Sequence, residues 1–203
     1  MKIGLILECQ DGGAPDRMNA DELVGRHVIK IIAPGTEVEP VFLNRKPRLI
    51  DECGVYAKQL LANKCCCVII IWDLYPLWGG KVCMKRDRDA VLKNLKDAGI
   101  PDDAPVYLLC ISYELETWFI VDRQVLIDAL PKVKADKIKR VRNFERTDPK
   151  TISSNYFRSP YRGTTKQVRQ LLKGLKKERF RKIQRKCTSF DRFVKQIETC
   201  KSL

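Results

Sequence analysis

The hydrophobic positions divide the chain into two textures. Over the first 130 residues, short apolar runs alternate with stretches in which apolar side chains recur every three or four positions. The run KIGLILE, residues 2–8, ends in an acid and is followed by Gly, Pro and Asp punctuation in QDGGAPDRMNAD. From Asp21 the pattern turns helical: Leu23, Val24, His27, Val28 and Ile31 share one face until Pro34 and Gly35 stop it. EVEPVFL reads as a strand at a sheet edge, because Pro40 cannot donate to a ladder. Residues 49–62 are helical around Ile50, Val55, Leu60 and Leu61. CCCVIIIWD, residues 65–73, is apolar on both alternating faces, as a central parallel strand requires. A loop, DLYPLWGGK, leads to a polar amphipathic helix over residues 85–98 and then to a second buried strand in APVYLLCIS. One helix is predicted across residues 116–130. This alternation implies an α/β fold: a mostly parallel sheet with flanking helices.

After Leu130 the texture changes. Residues 131–163 are rich in Lys, Arg, Asn, Ser and Pro and read as a long, partly irregular excursion. Two helices close the chain. Val168, Leu171, Leu172 and Leu175 form the stripe of the first; Phe190, Phe193, Val194 and Ile197 form that of the second, with Thr188 or Ser189 at its N-cap. The expected organisation is an α/β domain over residues 1–130 and a basic, helical C-terminal extension over residues 131–203, packed on it.

Composition narrows the class. A chain of 203 residues with 44% hydrophobic content can bury a core. No apolar run approaches bilayer length, and the apolar N-terminal stretch is too short for a secretory signal, so a soluble, cytoplasmic protein with no membrane partner is expected. The nine cysteines fit no paired CxxC spacing; those in CCCVIII behave as small hydrophobes, and reduced structural thiols are expected. The net charge of +14 is uneven: residues 131–203 hold 23 Lys and Arg against 6 Asp and Glu. That asymmetry suits a polyanion such as DNA or RNA, and also suits a solvated basic face. Lys173, Lys176, Lys177, Arg179, Arg181 and Lys182 are the candidate nucleic-acid-binding residues.

The acids refine this picture. Glu8, Asp73 and Glu114 each follow a predicted strand, so they fall on one edge of the sheet, where open parallel α/β folds bind ligands. Two readings follow. Each acid caps the next helix, or together they hold a hard cation, Mg²⁺ or Mn²⁺, that offsets their repulsion. Glu116 joins the set only if Glu114 stays extended and the helix begins at about Leu115 or Glu116. Asp122 lies in the apolar stripe of Leu115, Trp118, Phe119 and Leu126, where it calls for an Arg or Lys partner. His27, the only histidine, sits on an apolar helix face and reads as a packing residue. Trp72, Tyr75 and Trp78 flank the loop after Asp73 and suit either base stacking or packing. Gly79-Gly80-Lys81 lacks the rest of a phosphate-loop pattern.

Taken in order, Glu8 in LILECQDGG, Asp73 in IIIWDLYP, and Glu114 and Glu116 in ELE resemble the Toprim fold, the metal-binding α/β domain of topoisomerases, bacterial primases and overcoming-lysogenization-defect nucleases. The chain more closely resembles the uncharacterised DUF-forty-two-seventy-six family of small Toprim-like proteins. Glu114, Glu116, Trp118 and Asp122 are similar to its E-x-E-x-W-x-x-x-D stretch, and Ser189, Phe190 and Phe193 to its Ser-Phe-x-x-Phe segment. The resemblance covers nearly the whole chain and implies a Toprim/Rossmann-like sheet. It implies a phosphodiesterase in which Glu8 is general acid or base, Asp73 and the later acids hold Mg²⁺ or Mn²⁺, and the basic tail grips nucleic acid, in phage defence or mobile-element conflict. Two departures bear on catalysis. The usual Asp-x-Asp is Asp73-Leu74-Tyr75, so the second Asp is missing, and the usual Glu-Gly is Glu8-Cys9, with Asp11 or Asp16 as the candidate substitute ligand from the loop. A non-catalytic nucleic-acid-binding or adaptor protein that retains the fold, or one whose tail contacts a partner protein, is the alternative expectation.

Overall fold

The computed structural model describes residues 1–9, 19–74, 84–111, 114–142, 144, 147–157 and 161–202. Four strands, β1 (Lys2–Leu7), β2 (Glu37–Phe42), β3 (Cys67–Asp73) and β4 (Val106–Ile111), form one all-parallel sheet in the order β2-β1-β3-β4. β2, which carries Pro40, is an edge strand. The order reverses direction between β1 and β3, so a crevice opens at the carboxyl ends of these two strands.

The period-two pattern of β3 serves two cores. Val68, Ile70 and Trp72 meet α2 (Lys46–Ala62) and α3 (Met84–Asp97) on one face, through residues such as Leu49, Cys53 and Val91. Cys67, Ile69 and Ile71 face the larger core, shared with α1 (Ala20–Ile32), α4 (Thr117–Ile120), α5 (Arg123–Ala129), α7 (Thr165–Leu172), α8 (Lys177–Gln184) and α9 (Thr188–Lys201). The basic C-terminal helices thus bury apolar stripes against the sheet. Trp118 of α4 stacks on Phe193 at 5.3 Å, meets Phe190 edge-on at 5.1 Å, and donates its indole N–H to Ser189 Oγ at 3.0 Å. At the end of α7, Gly174 lets the chain press against α5, since a side chain there would run into the Val125 carbonyl.

Several expectations are corrected. The helix over 116–130 breaks at Val121 and Asp122, and Asp122 caps the second piece by accepting from Gln124 N. The 131–163 excursion contains a 3₁₀ turn (Ala135–Lys137) and a short helix, α6 (Pro149–Ser154), started by Asp148 and Pro149. Three helices close the chain, because α7 ends at Leu172 and a separate α8 precedes α9. The N-cap of α9 is Cys187, not Thr188 or Ser189. Finally, Cys67 and Cys200 form a disulfide joining β3 to α9 across 133 residues of sequence. Each lies on the buried stripe of its element, so their meeting follows from packing and leaves no spacing signature. Cys9, Cys53, Cys65, Cys66, Cys110 and Cys187 form no disulfide among the described residues, and Cys83 lies outside them. Among the described residues, no helix is long and apolar enough to cross a membrane.

Candidate functional site

The crevice between β1 and β3 gathers the strand-end acids. Glu8 directly follows β1, and its Oε2 accepts from the Asp73 backbone N–H at 3.1 Å. Asp73 is the last residue of β3. Glu114 lies after β4 and outside any helix; Leu115 and Glu116 form a turn, and α4 starts at Thr117. That geometry lets both glutamates approach Asp73, whose charge interacts with those of Asp21, Glu116, Glu8 and Glu114. The fifth acid, Asp21, enters from the first turn of α1, where Asn19 caps the helix by accepting from Asp21 N at 2.9 Å. A void of about 10 Å³, the space of one water-sized group, lies among Glu8, Asp21, Asp73 and Leu115.

The electrostatics follow from crowding in a poorly solvated place. Burial raises the Glu8 carboxyl to about 7, against the opposing pull of Lys46. Burial, then the charge of Asp21, raises Glu116 to about 7. Asp73 is raised well above the ordinary carboxylate range, first by burial and then by its four acidic neighbours. Asp21 is raised by burial as well, although Cys9 and Lys150 counteract it. Burial also pushes up the Cys9 thiol beside Asp21, and raises Cys53 to about 12, Cys65 to about 11 and Cys110 to about 12, so these are poor nucleophiles at neutral pH.

Two lysines and a loop enclose the cluster. Lys150 of α6 donates to Glu114 Oε1 at 2.7 Å. Burial works against the Lys150 charge, but Glu116, Glu114 and Asp73 outweigh it and raise its pKa above the usual lysine value. Lys46, buried at the start of α2, donates to the Leu74 carbonyl at 2.9 Å and lies 3.5 Å from Asp87 Oδ2. Tyr161 is buried close enough to Glu116 for the acid to raise its phenol further, after burial itself, yet its hydroxyl has no hydrogen-bond partner among the described residues. Gly163, at φ +66°, packs where a Cβ would lie 2.9 Å from Glu116 Oε1, so only glycine fits without a shift.

The donor chemistry fits a hard divalent cation: every candidate ligand is a carboxylate, Glu114 Oε2 is buried without a partner among the described residues, and four of the five acids have raised pKa values that positive charge would relieve. As they stand, no three His, Cys, Asp or Glu side chains among the described residues form a group close enough to hold an ion. Lys150 supplies the neutralising charge in this arrangement.

The other predicted residues fall as follows. Asp122 meets Lys182 Nζ at 2.6 Å, which supplies the basic partner its position calls for. Lys176 and Arg179 lie 3.5 and 3.6 Å from Asp128 Oδ2. Three of the six candidate nucleic-acid-binding cations are therefore engaged by acids at the N-cap and in the last turn of α5, whereas Lys173, Lys177 and Arg181 are exposed and form no ion pair among the described residues. His27 Nε2 lies 2.8 Å from the Leu175 carbonyl oxygen and pins α1 to the C-terminal helices. Trp72 is fully packed in the smaller core. Asp11, Asp16, Tyr75, Trp78 and Gly79-Gly80-Lys81 lie outside the described residues.

Sequence reasoning missed Asp21, Lys150 and Tyr161. Asp21 carries an ordinary first-turn signal, and nothing local distinguishes a capping acid from a site acid. Lys150 is one of many cations in a basic stretch. No family model matches the chain, and no curated protein or solved structure matches it.

Proposed function

We propose that this chain is a Mg²⁺- or Mn²⁺-dependent nucleic-acid phosphodiesterase of the Toprim type. The observation that carries the reading is the convergence of Glu8, Asp21, Asp73, Glu114 and Glu116 at the strand-order reversal of a parallel sheet. Repelling carboxylates are an expensive arrangement for a structural role alone. Asp73, Glu114 and Glu116, joined by Asp21, would hold the cation. When bound, such a cation supplies Lewis acidity and offsets negative charge on a phosphoryl oxygen. Glu8 is suited to proton transfer: burial raises its carboxyl to about 7, and the Asp73 N–H fixes its orientation through Oε2. Lys177, Arg181 and Lys173 would attract the phosphate backbone.

The test is cleavage of DNA and RNA with Mg²⁺ or Mn²⁺ by the wild type, Glu8→Gln and Asp73→Asn. Metal-dependent cleavage lost in both variants supports the reading; equal activity in all three removes it. One observation favours a second reading, a nucleic-acid-binding or adaptor protein without catalysis: Lys150 already neutralises Glu114, and no three of the gathered carboxylates form a group tight enough to hold an ion. Metal-independent binding with no cleavage under any divalent cation would select it.

A further inference from the structure

A second feature of the basic half has no part in that site. A cavity of about 810 Å³ is bordered by Lys132, Tyr156, Phe157, Arg162 and Lys166. A second, of about 690 Å³, is bordered by Lys132, Lys166, Arg169 and Lys173. Lys132, Lys166 and Gln170 line both, so the two form one trough along the outer side of α7. Lys166, Arg169 and Lys173 follow one another at helical spacing and mark its floor. Its only lining acid among the described residues, Asp128, is already flanked by Lys176 and Arg179. Lys132, Arg162, Lys166, Arg169 and Lys173 form no ion pair among the described residues.

One end of the trough is aromatic. Tyr156 and Phe157 are each half-buried, and the Tyr156 hydroxyl is fixed by accepting from Lys139 N at 3.0 Å. Phe157 leans on Tyr161 at 5.3 Å, and Tyr161 is the ring beside Glu116. Arg162 borders the trough while its neighbour Gly163 packs on Glu116 Oε1. Residues 161–163 are therefore the wall between the trough and the acid cluster.

We infer that this trough is the track of a single-stranded nucleic acid, with phosphates along Lys166, Arg169 and Lys173 and unpaired bases on Tyr156 and Phe157, carrying the strand alongside the wall that borders the acid cluster. The inference rests on the nucleic-acid reading above and adds the strand type and the path. Cations spaced along a groove with aromatic faces at one end match a backbone that also offers bases to stack. A duplex keeps its base faces covered and gains nothing from those rings.

The experiment is fluorescence anisotropy of labelled single-stranded dT and U oligonucleotides, and of a duplex, with the full chain across a salt series. The wild type should prefer single strands. Lys166→Gln with Arg169→Gln should lower the salt slope by about 1.4, since each single-strand phosphate contact contributes roughly 0.7. Phe157→Leu, which keeps apolar bulk, should weaken single-strand binding about tenfold with the slope unchanged. Unaltered binding in both trough variants, with loss in Lys177→Gln/Arg181→Gln, overturns the track and leaves the nucleic-acid reading standing. Equal affinity for duplex, unaffected by Phe157→Leu, overturns the single-strand assignment. No binding of any nucleic acid by the wild type overturns both.

Discussion

Lys150 Nζ donates to Glu114 Oε1 at 2.7 Å, so a cation from α6 closes an acid cluster built by the sheet 36 residues earlier. In Lys150→Met the carboxylates lose that charge. The expected result is a loss of about 1–2 kcal/mol in chelator, modest because the Lys150 side chain is 41% exposed and partly screened. Mg²⁺ or Mn²⁺ should then raise the melting temperature of the variant more than that of the wild type. Thermal denaturation with and without cation measures both; a variant indifferent to cation would separate Lys150 from any metal role.

Stability should fall as pH rises. Glu8 and Glu116 have folded pKa values of about 7, above the ordinary 4.5 of an unfolded glutamate. A carboxyl raised in this way favours the fold fully below about 4.5, and that contribution is lost as pH rises through 7. In chelator, Tm should decline between pH 5 and pH 8, and Glu116→Gln should flatten the decline. A wild-type profile that climbs over this range would contradict the cluster.

Ser189 holds the indole of Trp118 at 3.0 Å inside an aromatic nest. Ser189→Ala leaves a buried N–H unpaired, with an expected loss of about 1–3 kcal/mol by urea denaturation. Nucleic-acid binding should be unchanged in conditions where the variant is folded, because Ser189 and Trp118 are buried away from the basic surface.

The basic residues should divide by what already engages them. Lys182 neutralises Asp122, which is 2% exposed, so Lys182→Gln should destabilise by about 1–2 kcal/mol while weakening oligonucleotide binding little. Lys177→Gln with Arg181→Gln should do the reverse. Urea denaturation and a binding titration on each variant decide between charge that folds the chain and charge that binds.

Reduction should be costly. The Cys67–Cys200 bond spans 133 residues, and a crosslink of such length contributes about 5 kcal/mol through the unfolded chain. Urea midpoints with and without reductant, beside Cys200→Ser, measure it; peptide mapping of non-reduced protein should recover the two cysteines as one linked pair.

How legible these features were depended on whether their cause was local. Glu8, Asp73 and Glu114 announced themselves because an acid at or within three residues of the end of an apolar strand marks one edge of a parallel sheet. Asp122 announced a need for a partner by lying in an apolar stripe, but Lys182 is 60 residues away and no periodicity names it. Asp21, Lys150 and the Cys67–Cys200 pair become visible only when α1, α6 and α9 are docked. The break at Val121 and Asp122 was hidden because continuous helical periodicity runs through it, and the Asp122 cap outweighs that propensity.

The covering of β4 by α9 has a consequence during synthesis. β4 is complete at Ile111, while α9 begins at Thr188. At roughly 5–20 residues per second, the ribosome needs about 4–15 s to make the intervening chain. Through that interval the sheet face carrying Ile69, Ile71, Leu109 and Ile111 has no helix α9 to cover it, and the acids at its edge lack Lys150 until α6 emerges. The nascent chain therefore presents an oily surface beside a crowded negative rim, a natural client for a chaperone. Slower translation of residues 112–187 would lengthen that exposure and lower the yield of soluble protein.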